Sequence, residues 1–423
     1  MRRQWFRLDN AALIFPAIMK RGWNNVFRVS ATLKESVDPD ILRKAALDIK
    51  PRFPSFFVRL KTGFFWYYLD AIKTDVPIVQ EYAYPLTHMS RKELRKCCIR
   101  IVYYNDRIAV EFFHSVTDGT GGLIFLKNLV ARYLEIKHGI SVPHEDDIFD
   151  IEAEPSDWEV RDCFQKCTGR YPMSRTEQTA FKLSGTPEPD NFRHLITGIL
   201  PTDVLIKTAH SYGVTVTAFL SGVMAESVCR LQQATTSQRF YKPVKITLPV
   251  NLRRLFKVNT LRNFVLTLNI GIDPKTGDYS LEEICSQISH QLSSEAIPQK
   301  MAARIAANVL PQRNLLLRMM PLPVKSIAMR SVYFASGEKK GCINVSNLGN
   351  ANVPPAMAPY IDRFEFIIGV QYTYPNNCSL VSYGNKTVIN MIRSTKESEI
   401  ERLFFSRLVE LGVPVSIESN TRR

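Results

Sequence analysis

Strand and helix signals alternate along the first part of the chain. Val26 to Leu33 and Ile99 to Tyr104 read as β-strands, and Arg107 to Phe113 does too, with Asn105-Asp106 predicting a tight hairpin between the last two. Gly122 to His138 then carries Leu123, Leu126, Val130 and Leu134 at helical spacing, which predicts an amphipathic helix. From Val142 to about Asp190 the periodicity dissolves. Glu145, Asp146, Asp147, Asp150, Glu152 and Glu154 are followed by Pro172, Pro187 and Pro189, the marks of a long surface crossing.

Periodicity resumes with a strand at His194 to Leu200, a helix start at Pro201-Thr202-Asp203 and a well-buried helix from Thr215 to Leu231. Strands at Val244 to Val250 and Phe264 to Ile270 come next, then a helix from Leu281 to about Ser294. Further strands are predicted near Cys342 to Ser346, Phe364 to Val370, Ser379 to Ser382 and Thr387 to Ile392, and a last helix from Lys396 to Leu411. The expected organisation is two mixed α/β lobes, 1–165 and 191–423, joined by a crossover at 166–190.

Length and composition agree with that division. The chain has 423 residues, enough for two ordinary cores, and 45% hydrophobic residues to fill them, which excludes disordered, collagen-like and coiled-coil classes. Fifty-five Lys+Arg against 40 Asp+Glu give a net charge of +15, pointing to an anionic partner: nucleic acid, a membrane surface or a phosphate-bearing co-substrate. No nucleic-acid-binding motif accompanies the charge, so nucleic acid is not expected. The basic start, Met1-Arg2-Arg3-Gln4-Trp5, precedes an apolar run at Ala11 to Met19 that Pro16 breaks, a poor signal peptide. No stretch nears the roughly 20 apolar residues that span a bilayer. The 8 cysteines are scattered without CxxC spacing, Cys163 and Cys167 being the one pair at i,i+4. A cytoplasmic, monomeric protein with reduced thiols is the simplest reading.

The sharpest local feature is Val110-Glu111-Phe112-Phe113-His114-Ser115-Val116-Thr117-Asp118-Gly119, a strand, a turn and the start of a helix. The pattern puts His114 at the rigid end of a strand, where a neutral imidazole deprotonates a hydroxyl or amine near pH 7. Asp118, four residues on, is expected to turn away and anchor the loop through a salt bridge, while Gly119, Gly121 and Gly122 let the backbone turn sharply. No second His or Cys sits at ligand spacing, so no metal is expected. Gly119-Thr120-Gly121-Gly122 also lacks the GK[ST] ending of a P-loop. Ser115 is a poor nucleophile candidate because neighbouring strand residues face opposite ways.

This constellation resembles the HxxxDG acyltransferases of the chloramphenicol-acetyltransferase-like and condensation-domain superfamily, and within it the bacterial alcohol O-acetyltransferase-like group. The likeness extends to Arg7-Leu8-Asp9-Asn10-Ala11-Ala12, to Arg52-Phe53-Pro54 with Gly63-Phe64-Phe65-Trp66-Tyr67-Tyr68, and to Ser346-Asn347-Leu348-Gly349. It implies two lobes around a central tunnel, His114 as general base, Asp118 as a structural residue, and Arg253 of Pro249-Val250-Asn251-Leu252-Arg253 as its partner. Ser346 or Asn347 is then expected to steady an oxyanion or position the substrate, with Gly119 and Asn263 at the substrate. The chain lacks the Asp-Phe-Gly-Trp-Gly motif of the plant branch, and Phe113 stands where many peptide-condensation domains carry a first His.

The implied reaction is direct acyl transfer, with acetyl-CoA or another acyl-CoA as co-substrate, to an alcohol or amine, and no bound cofactor. A second expectation loads the acyl group from an acyl carrier protein, as in polyketide or lipopeptide tailoring. A third is a catalytically silent binding protein of the same fold, which the intact HSVTDG counts against. Residues 296–337 contain no acid but include Lys300, Arg304, Arg313, Arg318, Lys325 and Arg330 among Met and Leu residues. That basic amphipathic stretch suits CoA phosphates, an acidic carrier or a peripheral membrane contact.

Overall fold

The computed structural model describes residues 5–19, 25–173, 177–334, 339–371 and 373–420; the basic start at Met1 to Gln4 lies outside them. The expected strands form where the pattern put them: Val26–Leu33, Ile99–Tyr104 and Arg107–Phe113 have those bounds, and Asn105 takes φ 49° in the hairpin turn. They belong to a five-stranded sheet in the order Ile361–Ile368, Val26–Leu33, Arg107–Phe113, Ile99–Tyr104, Ile78–Gln80. The helices Pro39–Ile49 and Gly119–His138 are paired with each other, the second also packing on Val26–Leu33. Phe27, Phe53, Phe56, Phe112 and Phe125 stack between sheet and helix in one aromatic core.

A seven-stranded sheet organises the other half, in the order Val265–Ile272, Val244–Asn251, Ile343–Asn350, Asn376–Tyr383, Lys386–Arg393, His194–Pro201, Ser416–Ser419. The helices Val216–Thr235, Leu281–Glu295 and Glu399–Glu410 supply its second core, with Phe219, Val223, Ile284, Ile288 and Phe404 buried. A small three-stranded sheet, Trp5–Arg7, Tyr67–Ala71 and Val58–Thr62, completes the β-structure among the described residues. From 142 to 188 no helix or strand forms among the described residues, as the loss of periodicity predicts.

One segment departs from the expected division at 191. The strand Ile361–Ile368 crosses back and pairs antiparallel with Val26–Leu33, so residues of the second half close the first sheet. The cause is burial on both faces: Phe364, Phe366 and Ile367 belong to the first core. The Phe366 carbonyl meanwhile accepts from Ser379 Oγ (2.6 Å) and Asn390 Nδ2 (3.2 Å) of the second sheet. The exchange stitches the lobes together beside the HxxxDG turn.

Candidate active site

His114 ends the Arg107–Phe113 strand, where its backbone N–H donates to the Asn25 carbonyl at 2.9 Å. Its half-buried ring is sandwiched by aromatics, stacked on Phe15 at 4.6 Å and edge-on to Phe27 at 5.1 Å. Nδ1 lies 3.0 Å from Asn263 Oδ1. The Asn263 amide is oriented by its other end, where Nδ2 donates to the His114 carbonyl (2.9 Å) and to Asp9 Oδ2 (3.2 Å). An amide oxygen only accepts, so this arrangement puts the imidazole proton on Nδ1 and leaves the Nε2 lone pair free. A free Nε2 on a fixed ring is what a general base requires.

Asp118 faces away from the imidazole. One oxygen caps the Gly119–His138 helix through the Gly121 N–H (3.2 Å), and the other takes Arg253 Nη1 and the Phe264 N–H, both at 2.8 Å. Arg253 also donates to the carbonyls of Thr260 and Arg262, each at 2.7 Å. Both charges are buried and met by hydrogen bonds, the condition under which such a pair holds shape without stranding a charge. The loop at 260–263 is clamped to the turn as well: Thr117 Oγ1 donates to the Leu261 carbonyl at 2.6 Å, and Cβ on Gly121 would sit 2.5 Å from that carbonyl oxygen. Glycine there is a matter of space.

Asn263, expected at the substrate, has both ends of its amide bonded to His114 and Asp9. At Gly119, also expected at the substrate, packing is tight: a Cβ would come within 2.7 Å of Leu348 and 3.0 Å of Phe366. That contact shows how Ser346-Asn347-Leu348-Gly349, in the strand Ile343–Asn350, is brought against the start of the HxxxDG helix. Within it, Asn347 is committed to structure, donating to Thr217 Oγ1 (2.9 Å) and accepting from the Gly349 N–H (2.7 Å). The buried Ser346 hydroxyl makes no hydrogen bond among the described residues, so of the two it is the group with a donor to offer. Ser115 is fully buried and donates to the Ala12 carbonyl. Cys163 and Cys167 lie at the second core, and burial pushes the Cys167 thiol up to about 11.

Three contributors escaped the sequence reading. Asp9 stands in the quoted Arg7 to Ala12 stretch but had no role there; it is fully buried, and that burial pushes its carboxyl up to about 6 while the Arg262 charge pulls the other way. Arg262 lies 3.4 Å from Asp9 and donates to the Arg7 carbonyl at 2.9 Å. Phe15 covers the imidazole. A charged Arg262 between Leu261 and the apolar strand is the one local signal, since such a residue needs a buried partner.

No family model matches the sequence, and no curated protein matches it either. Solved structures do. The Fusarium graminearum TRI101 complexed with coenzyme A and T-2 mycotoxin superposes with TM-score 0.65 at 9% identity, over 97% of this chain and 99% of that one. The TRI3 trichothecene 15-O-acetyltransferase of Fusarium sporotrichioides gives 0.61 at 12% identity, over 97% and 94%. Polyketide synthase associated protein 5 of Mycobacterium tuberculosis gives 0.58 at 14% identity, over 96% of each chain. The fold is the two-lobed chloramphenicol-acetyltransferase-like one. In that fold the described geometry lies where both lobes meet: His114 and Asp118 come from the first, Arg253, Asn263 and Leu348 from the second.

Proposed function

We propose that this protein is an acyltransferase that moves an acyl group, acetyl in the simplest case, from coenzyme A to an alcohol hydroxyl. The observation that carries the reading is the imidazole of His114, held through Nδ1 by Asn263 with Nε2 left to act. Nε2 takes the proton of the acceptor hydroxyl as its oxygen attacks the thioester carbonyl. The C–S bond breaks as the tetrahedral intermediate collapses, and the imidazolium returns the proton to the departing thiolate. Ser346 is the side chain assigned to the oxyanion. Support from the comparisons lies in the coenzyme A complex and the O-acetyltransferase among proteins of this fold.

The test is release of free thiol from acetyl-CoA in the presence of a panel of alcohols and amines. Wild type is expected to turn over and His114→Ala to lose about a hundredfold to ten-thousandfold while remaining folded. Undiminished turnover in His114→Ala would remove the mechanism. A second reading takes the acyl group from a carrier protein, and the likeness to polyketide synthase associated protein 5 favours it. Silence on acyl-CoA with turnover on an acylated carrier selects that reading. Silence on both leaves a binding protein.

A further inference from the structure

The acid-free stretch at 296–337 divides into two parts with opposite character. The helix Pro298–Arg313 is an ordinary packed one: Met301, Ile305 and Val309 are buried, and Lys300 and Arg304 are neutralised by Glu295 at 2.6 and 2.7 Å. The next two helices, Leu315–Met319 and Leu322–Val332, are inside out. In the second, Lys325 and Ser326 are buried beside Leu322, whereas Val324, Ile327, Ala328 and Val332, on i, i+3, i+4 and i+8 spacing, face solvent. In the first, no residue is buried, and Leu315, Leu316, Leu317 and Met319 are all exposed.

These side chains sit on segments that are bonded to one another. Lys325 turns inward to donate to the Phe65 carbonyl (3.1 Å) and the Arg318 carbonyl (3.4 Å), with its ammonium 3.4 Å from the centroid of Trp66. The Leu322 N–H donates to the Phe64 carbonyl at 2.9 Å. Both helices and the Phe64-Phe65 loop are thereby tied together, and the tied segments carry Leu316 at 79%, Phe64 at 72% and Ile327 at 63% exposure. A protein that met only water on this face would keep a row of large aliphatic side chains wet, which soluble surfaces avoid.

We propose that this face docks on an anionic lipid bilayer, inserting Phe64, Leu315, Leu316, Ile327 and their neighbours between headgroups. Exposed Arg313 and Arg318 would meet the lipid phosphates. Charge selects this occupant. A second copy would bring further arginines and no acid from 296–337 to the interface, and an acidic protein would answer the arginines but leave the aliphatic tips unmet. The surface also leads to the candidate base. The helix Leu322–Val332 packs on Phe15–Ile18, Arg330 Nη2 donates to the Ala17 carbonyl at 2.9 Å, and Phe15 of that short helix stacks on His114. If the acyl-transfer reading holds, the acceptor is accordingly a lipophilic alcohol delivered from the membrane; the docking itself does not depend on that reading.

Co-sedimentation with vesicles of phosphatidylcholine alone, and of phosphatidylcholine with phosphatidylglycerol in equal parts, tests it without any acyl donor. Wild type is expected to sediment with the anionic vesicles, weakly with the neutral ones, and less as salt is raised. Leu316→Asp and Ile327→Asp should each lower the partition coefficient by about tenfold, with circular dichroism and turnover of a soluble short-chain alcohol unchanged. Failure of wild type to bind anionic vesicles overturns the proposal. So does binding untouched by either substitution, or a dimer or carrier-protein complex that Leu316→Asp dissolves. Vesicle binding without any acyl transfer would leave the docking intact and remove only the catalytic reading.

Discussion

Arg253 and Arg262 lie in a stretch that alternates basic and apolar residues, and so do Arg313 and Arg318, yet the two pairs end in opposite surroundings. The first pair is buried where the lobes meet, Arg253 on Asp118 and two carbonyls, Arg262 on Asp9 and the Arg7 carbonyl. The second pair is exposed, and neither arginine makes an ion pair among the described residues. A guanidinium goes inside only where acceptors converge on it. Around Arg253 they come from positions as distant as 118 and 262, whereas the helices at 315–332 have nothing acidic within reach in the chain. The two pairs thus differ in use: Arg253 and Arg262 hold the site against Asp118 and Asp9, and Arg313 and Arg318 stand unpaired among the described residues.

The largest effect should come from breaking the buried member of the comparison. Arg253→Ala strands Asp118 beside the helix it caps and is expected to cost about 3–5 kcal/mol, read as a lower unfolding midpoint in denaturant. An unchanged midpoint would mean that the cap and the Phe264 N–H alone satisfy the carboxylate.

Asp9 gives a pH-dependent version of the same test. Its carboxyl is raised from 3.8 to about 6 by burial, so the folded state holds the proton more tightly than the unfolded chain. Stability from this group is full below about pH 4 and is lost as pH rises through about 6, a change of up to about 3 kcal/mol. Wild type should therefore lose more stability than Asp9→Asn between pH 4 and 7 in parallel melts; identical slopes would show that Asp9 does not titrate there.

Asn263→Ala separates positioning from binding. If the amide orients the imidazole, kcat falls about tenfold to a hundredfold while the KM for acyl-CoA stays near wild type. A raised KM at unchanged kcat would return Asn263 to the substrate. Smallest of all is Arg318→Ala, which should move the melting transition by no more than about 0.5 kcal/mol because the exposed guanidinium holds nothing in the free protein. A large loss of stability there would erase the contrast with Arg253.

Most of the fold is legible in the chain because its strands and helices carry their own period. The hairpin at Asn105-Asp106 has the bounds that alternation predicts, and the helix after HSVTDG starts at Gly119, three residues early, because Asp118 caps it. The HxxxDG turn and its arginine are legible for a similar reason, since a strand end, a capping carboxylate and a buried cation are each local chemical statements. The Asp9–Asn263–His114 chain is not. Its members are separated by 254 and 149 positions, and only the crossing of both lobes puts an amide between a carboxylate and an imidazole.

The sequence alone placed the strands and helix around HSVTDG, the helices near 216–235 and 281–295, the position of His114 at a strand end, and the basic, acid-free character of residues 296–337. Tertiary structure decided the rest. It carried Ile361–Ile368 into the first sheet because Phe364, Phe366 and Ile367 find their packing in the first core and the buried Glu365 is met by Arg363. It spent Asn263 on the imidazole, and it turned Lys325 inward and Ile327 outward, since an ammonium that finds two carbonyls and an indole face can be buried where an isolated one cannot. Periodicity says that a helix has an apolar side; the partners supplied by distant residues decide which side faces in.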